Sequence, residues 1–179
     1  MNANNWMLTH TGRRFDFDAI EDFDFTIEDI AHSLSHTCRF GGHVNQFYSV
    51  AQHSVIVSYN VPNEHKLTAL LHDAPEAFLV DVPMPLKRRL DAYKAIEREV
   101  WTCIALTFNL PLDLPECVHT ADRRALMAER RDLMPKQREA WSWGQFDSVE
   151  PLTERICPLN SAAAKLGFIG RFKALTNQI

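Results

Sequence analysis

Apolar residues recur at helical spacing along most of the chain. Ile27, Ile30, Ala31, Leu34 and Cys38 fall on one face of a first helix that begins at Thr26. Thr26-Ile27-Glu28-Asp29 is close to a capping box, with Asp in place of the usual Glu or Gln, and Gly41-Gly42 ends the helix. A second helix is predicted from about Gln46 to Asn60. Val50, His53, Val57 and Val61 form its apolar stripe, so His53 faces inward. A third runs from Glu64 to about Ala74, with Leu67, Leu70 and Leu71 inward, and Pro75, Pro83 and Pro85 then impose irregular chain. A fourth spans about Lys87 to Phe108, its buried side marked by Leu90, Tyr93, Ile96, Val100, Cys103, Ile104 and Phe108. The fifth runs from Glu116 to about Leu133. Residues 134–158 are irregular, and Ser161 caps a last helix reaching about Leu175. Residues 6–18 read as strand rather than helix. There WMLT and RRFDF flank His10-Thr11-Gly12, the signature of a short hairpin.

These elements predict an all-α fold with a small N-terminal β-hairpin. A chain of 179 residues suits one domain. Within it, 1–25 form the ribbon and linker, 26–133 the helical core, and 134–179 an aromatic loop and C-terminal helix. Trp141, Trp143 and Phe146 in that loop read as packing over the bundle or against a partner subunit. The composition, 46% hydrophobic and 23% charged, argues against wholesale disorder. Nineteen Lys and Arg against 23 Asp and Glu leave a net charge of −4, without the basic excess of a nucleic-acid binder. The Arg-Arg pairs at 13–14, 88–89, 123–124 and 130–131 have acidic neighbours and read as ion-paired, solvated faces. Cys38, Cys103, Cys117 and Cys157 form no CxxC pair, which argues against thioredoxin-type and zinc-knuckle sites. No segment reaches the roughly 18 apolar residues of a membrane span, and the first residues lack the apolar run of a signal peptide. A cytoplasmic protein is expected.

The chemistry concentrates in Leu71-His72-Asp73. Adjacent His and Asp side chains near a helix end diverge by about 100° and can lean toward one ion. With His53 on its buried stripe and Asp122 in the fifth helix, they make a mixed nitrogen and oxygen donor set. Such a set suits Mn, Co, Ni, Fe or Zn. A lone buried His is more often a hydrogen-bonded core residue, so spacing by itself leaves both readings open.

The pattern His53…His72-Asp73…Asp122 resembles the HD-domain metal-dependent phosphohydrolase superfamily, whose signature is H…HD…D on a helical bundle. LHDAPEAFLVDVPMPLK (71–87) is similar to the HD-containing loop of bacterial 5′-deoxynucleotidases. IAHSLSHTCRFGGHVNQFYSVAQHS (30–54) and ADRRALMAERRDL (121–133) resemble a phage and prophage branch of the superfamily. The resemblance covers roughly residues 6–133.

It implies that His53, His72, Asp73 and Asp122 hold one divalent transition ion. It makes Glu76 the catalytic glutamate that takes a proton from, or orders, the attacking water. Glu76 lies three residues past Asp73, and Pro75 before it kinks or restarts the helix. Arg39 is implied to grip phosphate, for which its planar fork is suited, and Phe40 to lie beside sugar and base. Asp81 matches a residue that accepts a hydrogen bond from the sugar 3′-hydroxyl. Lys87 meets phosphate or sits solvated, and His43 is a phosphate-binding or supporting group. His36 and His119 read as core or surface histidines.

The activity so implied is hydrolysis of small deoxynucleotides, either as a 5′-nucleotidase on dNMPs or as a triphosphohydrolase on dNTPs such as dATP, in a homo-oligomer. A non-catalytic nucleotide-sensing module and a nucleic-acid phosphodiesterase are the alternatives. The filled ligand set weighs against the first and the acidic balance against the second.

Overall fold

The computed structural model describes residues 5–176, so residues 1–4 and 177–179, which the sequence reading assigns to the ribbon and the C-terminal segment, lie outside the described residues. Strands β1 (Trp6–Leu8) and β2 (Arg14–Asp16) pair antiparallel, with Met7 opposite Phe15. Gly12, at φ 79°, turns the chain between them. Phe15 points inward and packs against Phe17, Phe23, Phe25 and Phe78, so the ribbon closes one end of the core.

Helix α1 (Ile27–His36) starts where the sequence places it: the Asp29 N–H donates to Thr26 Oγ1 at 3.3 Å. The Asp29 carboxylate does not close a capping box. It accepts from the Thr11 N–H and hydroxyl and from the Thr26 hydroxyl at 2.8–2.9 Å, which pins the hairpin turn to α1. The helix ends earlier than Gly41-Gly42. Extended Thr37 donates both its N–H and its hydroxyl to Ser33 O and closes it. Cys38 therefore lies off the helix, bridged to Ser49.

Helix α2 (Val50–Tyr59) begins four residues later than Gln46, at Val50, capped by Ser49, whose Oγ accepts from the Gln52 N–H. It packs on α1, on α3 (Lys66–Leu71), on α7 (Glu116–Leu133) and on α8 (Ser161–Thr176). Neighbours on several sides bury Val50 through Ser54 together with Val57 and Ser58, more than the single stripe the sequence suggests. One cluster of buried residues joins the hairpin to α1, α2, α3, α6 (Asp91–Thr107) and α8. A smaller one joins α2 and Ala69 to α7 and Leu152.

Two of the expected helices are interrupted. The third stops at Leu71. His72 to Pro75 form a turn, and α4 (Glu76–Leu79) restarts after Pro75, which lacks the N–H to continue the ladder. The fourth divides into α5 (Met84–Lys87) and α6, with Leu90 exposed at the junction rather than buried. The last helix keeps its predicted span, but Asn160, not Ser161, caps it through Ala163 N–H. Trp143 stacks under the Arg130 guanidinium of α7 at 4.7 Å, while Trp141 is exposed. The four cysteines are free, and among the described residues no helix is long and apolar enough to cross a membrane.

Candidate metal centre

Three helical segments bring side chains to one point. His53 comes from the second turn of α2, His72 and Asp73 from the turn that ends α3, and Asp122 from the second turn of α7. One ligand atom from each of His53, His72 and Asp122 lies within 4.8 Å of the other two. Asp73 borders the same point. Its Oδ1 is 3.3 Å from His72 Nε2 and its Oδ2 is 3.5 Å from His53 Nε2. The Asp122 side chain is 39% exposed, so the cluster opens to solvent on the α7 side.

The far nitrogen of each ring is fixed by the protein. His72 Nδ1 lies 2.8 Å from Ala69 O and donates to it. His53 Nδ1 lies 2.6 Å from Glu129 Oε1. Each bond sets a tautomer and turns Nε2 toward the cluster. Both Nε2 atoms are buried and make no hydrogen bond within the protein. Asp73 and Asp122 approach them at contact distance but off the hydrogen-bonding direction. Two fixed, bare imidazole nitrogens facing carboxylate oxygens fit a divalent cation, since burying such atoms without a partner is costly.

Glu129, which the sequence reading missed, is fully buried on α7. It contacts His53 Nδ1, accepts from Tyr48 OH at 2.9 Å and pairs with Arg39 at 3.2 Å. Burial alone would raise its pKa, but Arg39 and then His53 hold the carboxyl below its usual range. His53 is opposed by burial and by Arg39, yet Glu129 and Asp122 carry it up to about 9. For Asp122, burial works upward and the neighbouring His53 ring brings the carboxyl well down.

Arg39 is buried, and its other guanidinium nitrogen is 3.5 Å from Asp73. Burial opposes its charge, but Glu129 and then Asp73 keep it protonated. Phe40, at φ 57°, follows in a conformation that L residues seldom adopt, and its N–H donates to Asp81 Oδ2 at 3.3 Å. Val80, beside Asp81, is also at positive φ, 67°. Two strained backbones thus meet at the Asp81 carboxylate, an arrangement found where a side chain must be held for a task. Burial raises the pKa of Asp81.

Glu76 is buried and its Oε2 has no partner. Burial, then Asp73 and Asp81, push its carboxyl well above the usual range. Lys87 stands 3.7 Å from Glu76 and 2.6 Å from Glu97, which offsets its burial and holds it charged. His43 is exposed after the Gly41-Gly42 turn, and no described contact links it to the cluster. His119 is exposed, and His36 is exposed on α1. The structure thus brings together Arg39, His53, His72, Asp73, Glu76, Asp81, Lys87 and Asp122, with Phe40 alongside, and leaves His43 outside.

No model of a known protein family matches the chain. It is similar to the uncharacterized protein YfdR of Escherichia coli (strain K12), with 40% identity over 174 residues that span 96% of each chain. It is also similar to the uncharacterized protein RCAP_rcc00048 of Rhodobacter capsulatus, with 34% identity over 154 residues, covering 80% of this chain and 78% of that one.

Proposed function

The chain belongs to one family with the Escherichia coli protein YfdR, and we propose that it is a metal-dependent phosphohydrolase of small deoxynucleotides, built on the HD-domain helical bundle. The observation that carries this reading is the pair of buried, unpartnered Nε2 atoms of His53 and His72 beside Asp122. Asp73 completes the donor set. A transition ion such as Mn, Co, Ni, Fe or Zn, when bound, supplies Lewis acidity and lowers the pKa of water.

The chain's own residues supply the rest. Arg39 already faces the cluster and offers a planar pair of N–H donors to the phosphoryl oxygens, neutralising charge as it shifts. Water oxygen bonds to phosphorus and the bond from phosphorus to the nucleoside O5′ breaks. Glu76 takes the proton that the water loses, and the departing O5′ is protonated in turn. Lys87, fixed by Glu97, holds Glu76 in place and adds positive charge at that edge. Asp81 keeps one oxygen on the Phe40 N–H and turns the other to a sugar hydroxyl, with Phe40 packing beside it. On this reading the reaction runs in the cytoplasm on free nucleotides, in a homo-oligomer.

Cleavage of the same bond gives phosphate from a dNMP and tripolyphosphate from a dNTP. The test is a panel of dNMPs and dNTPs with each metal in turn, assayed for phosphate with and without pyrophosphatase and for free nucleoside. Elemental analysis of the purified protein accompanies it. Nucleoside release that is lost together with metal in Asp73→Ala is the expected result. No nucleoside from any substrate with any metal overturns the proposal.

A further inference from the structure

The chain between α4 and α5 carries Asp81, and Tyr93 of α6 reaches this segment from outside the His53, His72 and Asp122 cluster. We propose that Tyr93 is a positioning residue: its hydroxyl fixes the turn that presents the Asp81 carboxylate, and so sets how tightly a sugar hydroxyl is held. The substrate half of the proposal rests on the hydrolase reading. The hold of Tyr93 on the turn does not.

Val80 is the residue that needs holding. It closes α4 at φ 67° and ψ 154°, a region essentially reserved for glycine. A β-branched residue persists there only where its surroundings over-determine the backbone. Packing does not do so, since Val80 is 62% exposed. Two hydrogen bonds do. The Val80 N–H donates to Glu76 O at 2.9 Å, and the Val80 carbonyl accepts from the Tyr93 hydroxyl at 2.8 Å.

The consequence falls on the next residue. The Val80 carbonyl lies in the peptide plane that joins Val80 to Asp81, so the Tyr93 bond orients the plane from which Asp81 departs. Among the described residues no other backbone hydrogen bond holds Asp81 or Val82. The Asp81 carboxylate still reaches across to the Phe40 N–H at 3.3 Å. With that plane free to rotate, Val80 relaxes toward negative φ and Asp81 swings off Phe40.

Tyr93 is well placed for this task. It stands in the first turn of α6, a helix anchored in the core by Val100, Trp101 and Ile104. Lys87 Nζ lies 5.5 Å from the centre of the Tyr93 ring and pairs with Glu97, one turn further along α6. Ring and hydroxyl thus have separate partners. The ring faces Lys87, beside Glu76, and the hydroxyl faces the Asp81 turn. Removing the hydroxyl acts on the second without disturbing the first.

The test is Tyr93→Phe, which keeps the ring and loses only the bond to Val80 O. Metal-loaded wild type, Tyr93→Phe, Asp81→Asn and the double variant are compared on a deoxynucleotide and on its counterpart lacking the 3′-hydroxyl. Tyr93→Phe is expected to raise KM about three- to tenfold for the first substrate alone, with kcat held within about twofold. In the Asp81→Asn background it should add nothing. Amide exchange, followed by NMR on the metal-free protein, needs no turnover. The Phe40 and Val80 amides should exchange about three- to tenfold faster in Tyr93→Phe, with those of α6 unchanged. Unchanged exchange at Phe40 and Val80 overturns the proposal. So does a KM that stays level or rises equally for both substrates. Absence of nucleoside release from every substrate by wild type overturns the hydrolase reading instead, and the exchange rates alone then decide whether Tyr93 holds the turn.

Discussion

Glu129 Oε1 lies 2.6 Å from His53 Nδ1, and this contact decides which nitrogen of His53 faces the cluster. The same carboxylate holds Tyr48 OH and the Arg39 guanidinium, so one buried group orients the His53 ring of the candidate metal centre and the Arg39 guanidinium together. Replacing it with an amide keeps the shape and removes the charge. Glu129→Gln is expected to weaken metal binding by about 10- to 100-fold, read by calorimetry with Mn or Co. Glu129→Leu is expected to cost about 3–5 kcal/mol of stability in a denaturant melt, because Arg39 is left as a buried charge missing its closest partner.

His53 and Asp122, as proposed ligands, are expected to separate stability from metal binding. Asp122 is 39% exposed and holds no structural bond beyond its contact with His53. Asp122→Ala should therefore abolish stoichiometric metal in elemental analysis with a stability change within about 1 kcal/mol. His53 is fully buried against Glu129. His53→Ala should lose metal as well, and also about 3 kcal/mol or more, since it opens a cavity and strips Glu129 of a partner. Equal loss of stability in both variants would contradict this division of labour.

How much of this was legible in the sequence depends on the side chain. His53 could be placed because it sits on an apolar stripe, and His72-Asp73 because adjacent ligand types at a helix end are conspicuous. Asp122 could be placed in the fifth helix as a candidate donor, and the resemblance then implied its role as a ligand. The α7 boundaries were legible because Pro115 precedes the start and no Pro or Gly interrupts the run to Leu133. Glu129 was not, because Ala128-Glu129-Arg130-Arg131 reads as a charged surface. The signal was its register. Glu129 is seven residues past Asp122, on the face that buries Ala121, Ala125 and Ala128. The breaks at Thr37 and at Leu90 were hidden for another reason. The first follows from the Thr37 cap, and at Leu90 the backbone leaves the helical region, at ψ 77°; a periodic pattern carries neither.

Asp29 gives a pH-dependent stability. Burial works against its charge, but the Thr11 N–H and the Thr11 and Thr26 hydroxyls bring its pKa below the ordinary value. A depressed folded pKa stabilises the fold above the unfolded pKa of about 3.9 and loses that contribution as pH falls through the folded value. Wild type should thus exceed Asp29→Asn by about 2 kcal/mol at neutral pH. The gap should close progressively below about pH 4. Urea melts of both proteins from acid to neutral pH measure it. A gap that widens on acidification would reverse the assigned sign.

Asp132 anchors the chain that crosses α7. Its carboxylate accepts from Arg131 at 2.7–2.8 Å, from the Ile156 N–H at 3.0 Å and from Arg155. The hydrogen bond from Arg131 is the largest cause of its lowered pKa, working against burial, with the Ile156 N–H and Arg155 adding to it. Arg155 is largely exposed, so water screens much of that pair, and the N–H of Ile156 is the bond that ties segment to helix. Arg131 also donates to Leu152 O and Glu154 O, which makes the strap two-sided. Leu152 beneath it is buried in the smaller core cluster with α7. Asp132→Ala should cost about 1–2 kcal/mol and raise amide exchange locally in residues 150–157. Metal binding should stay unchanged, because no described contact joins the side chains of His53, His72, Asp73 or Asp122 to this strap. Exchange that rises equally across α2 and α3 would mean that Asp132 supports the whole bundle rather than the strap alone.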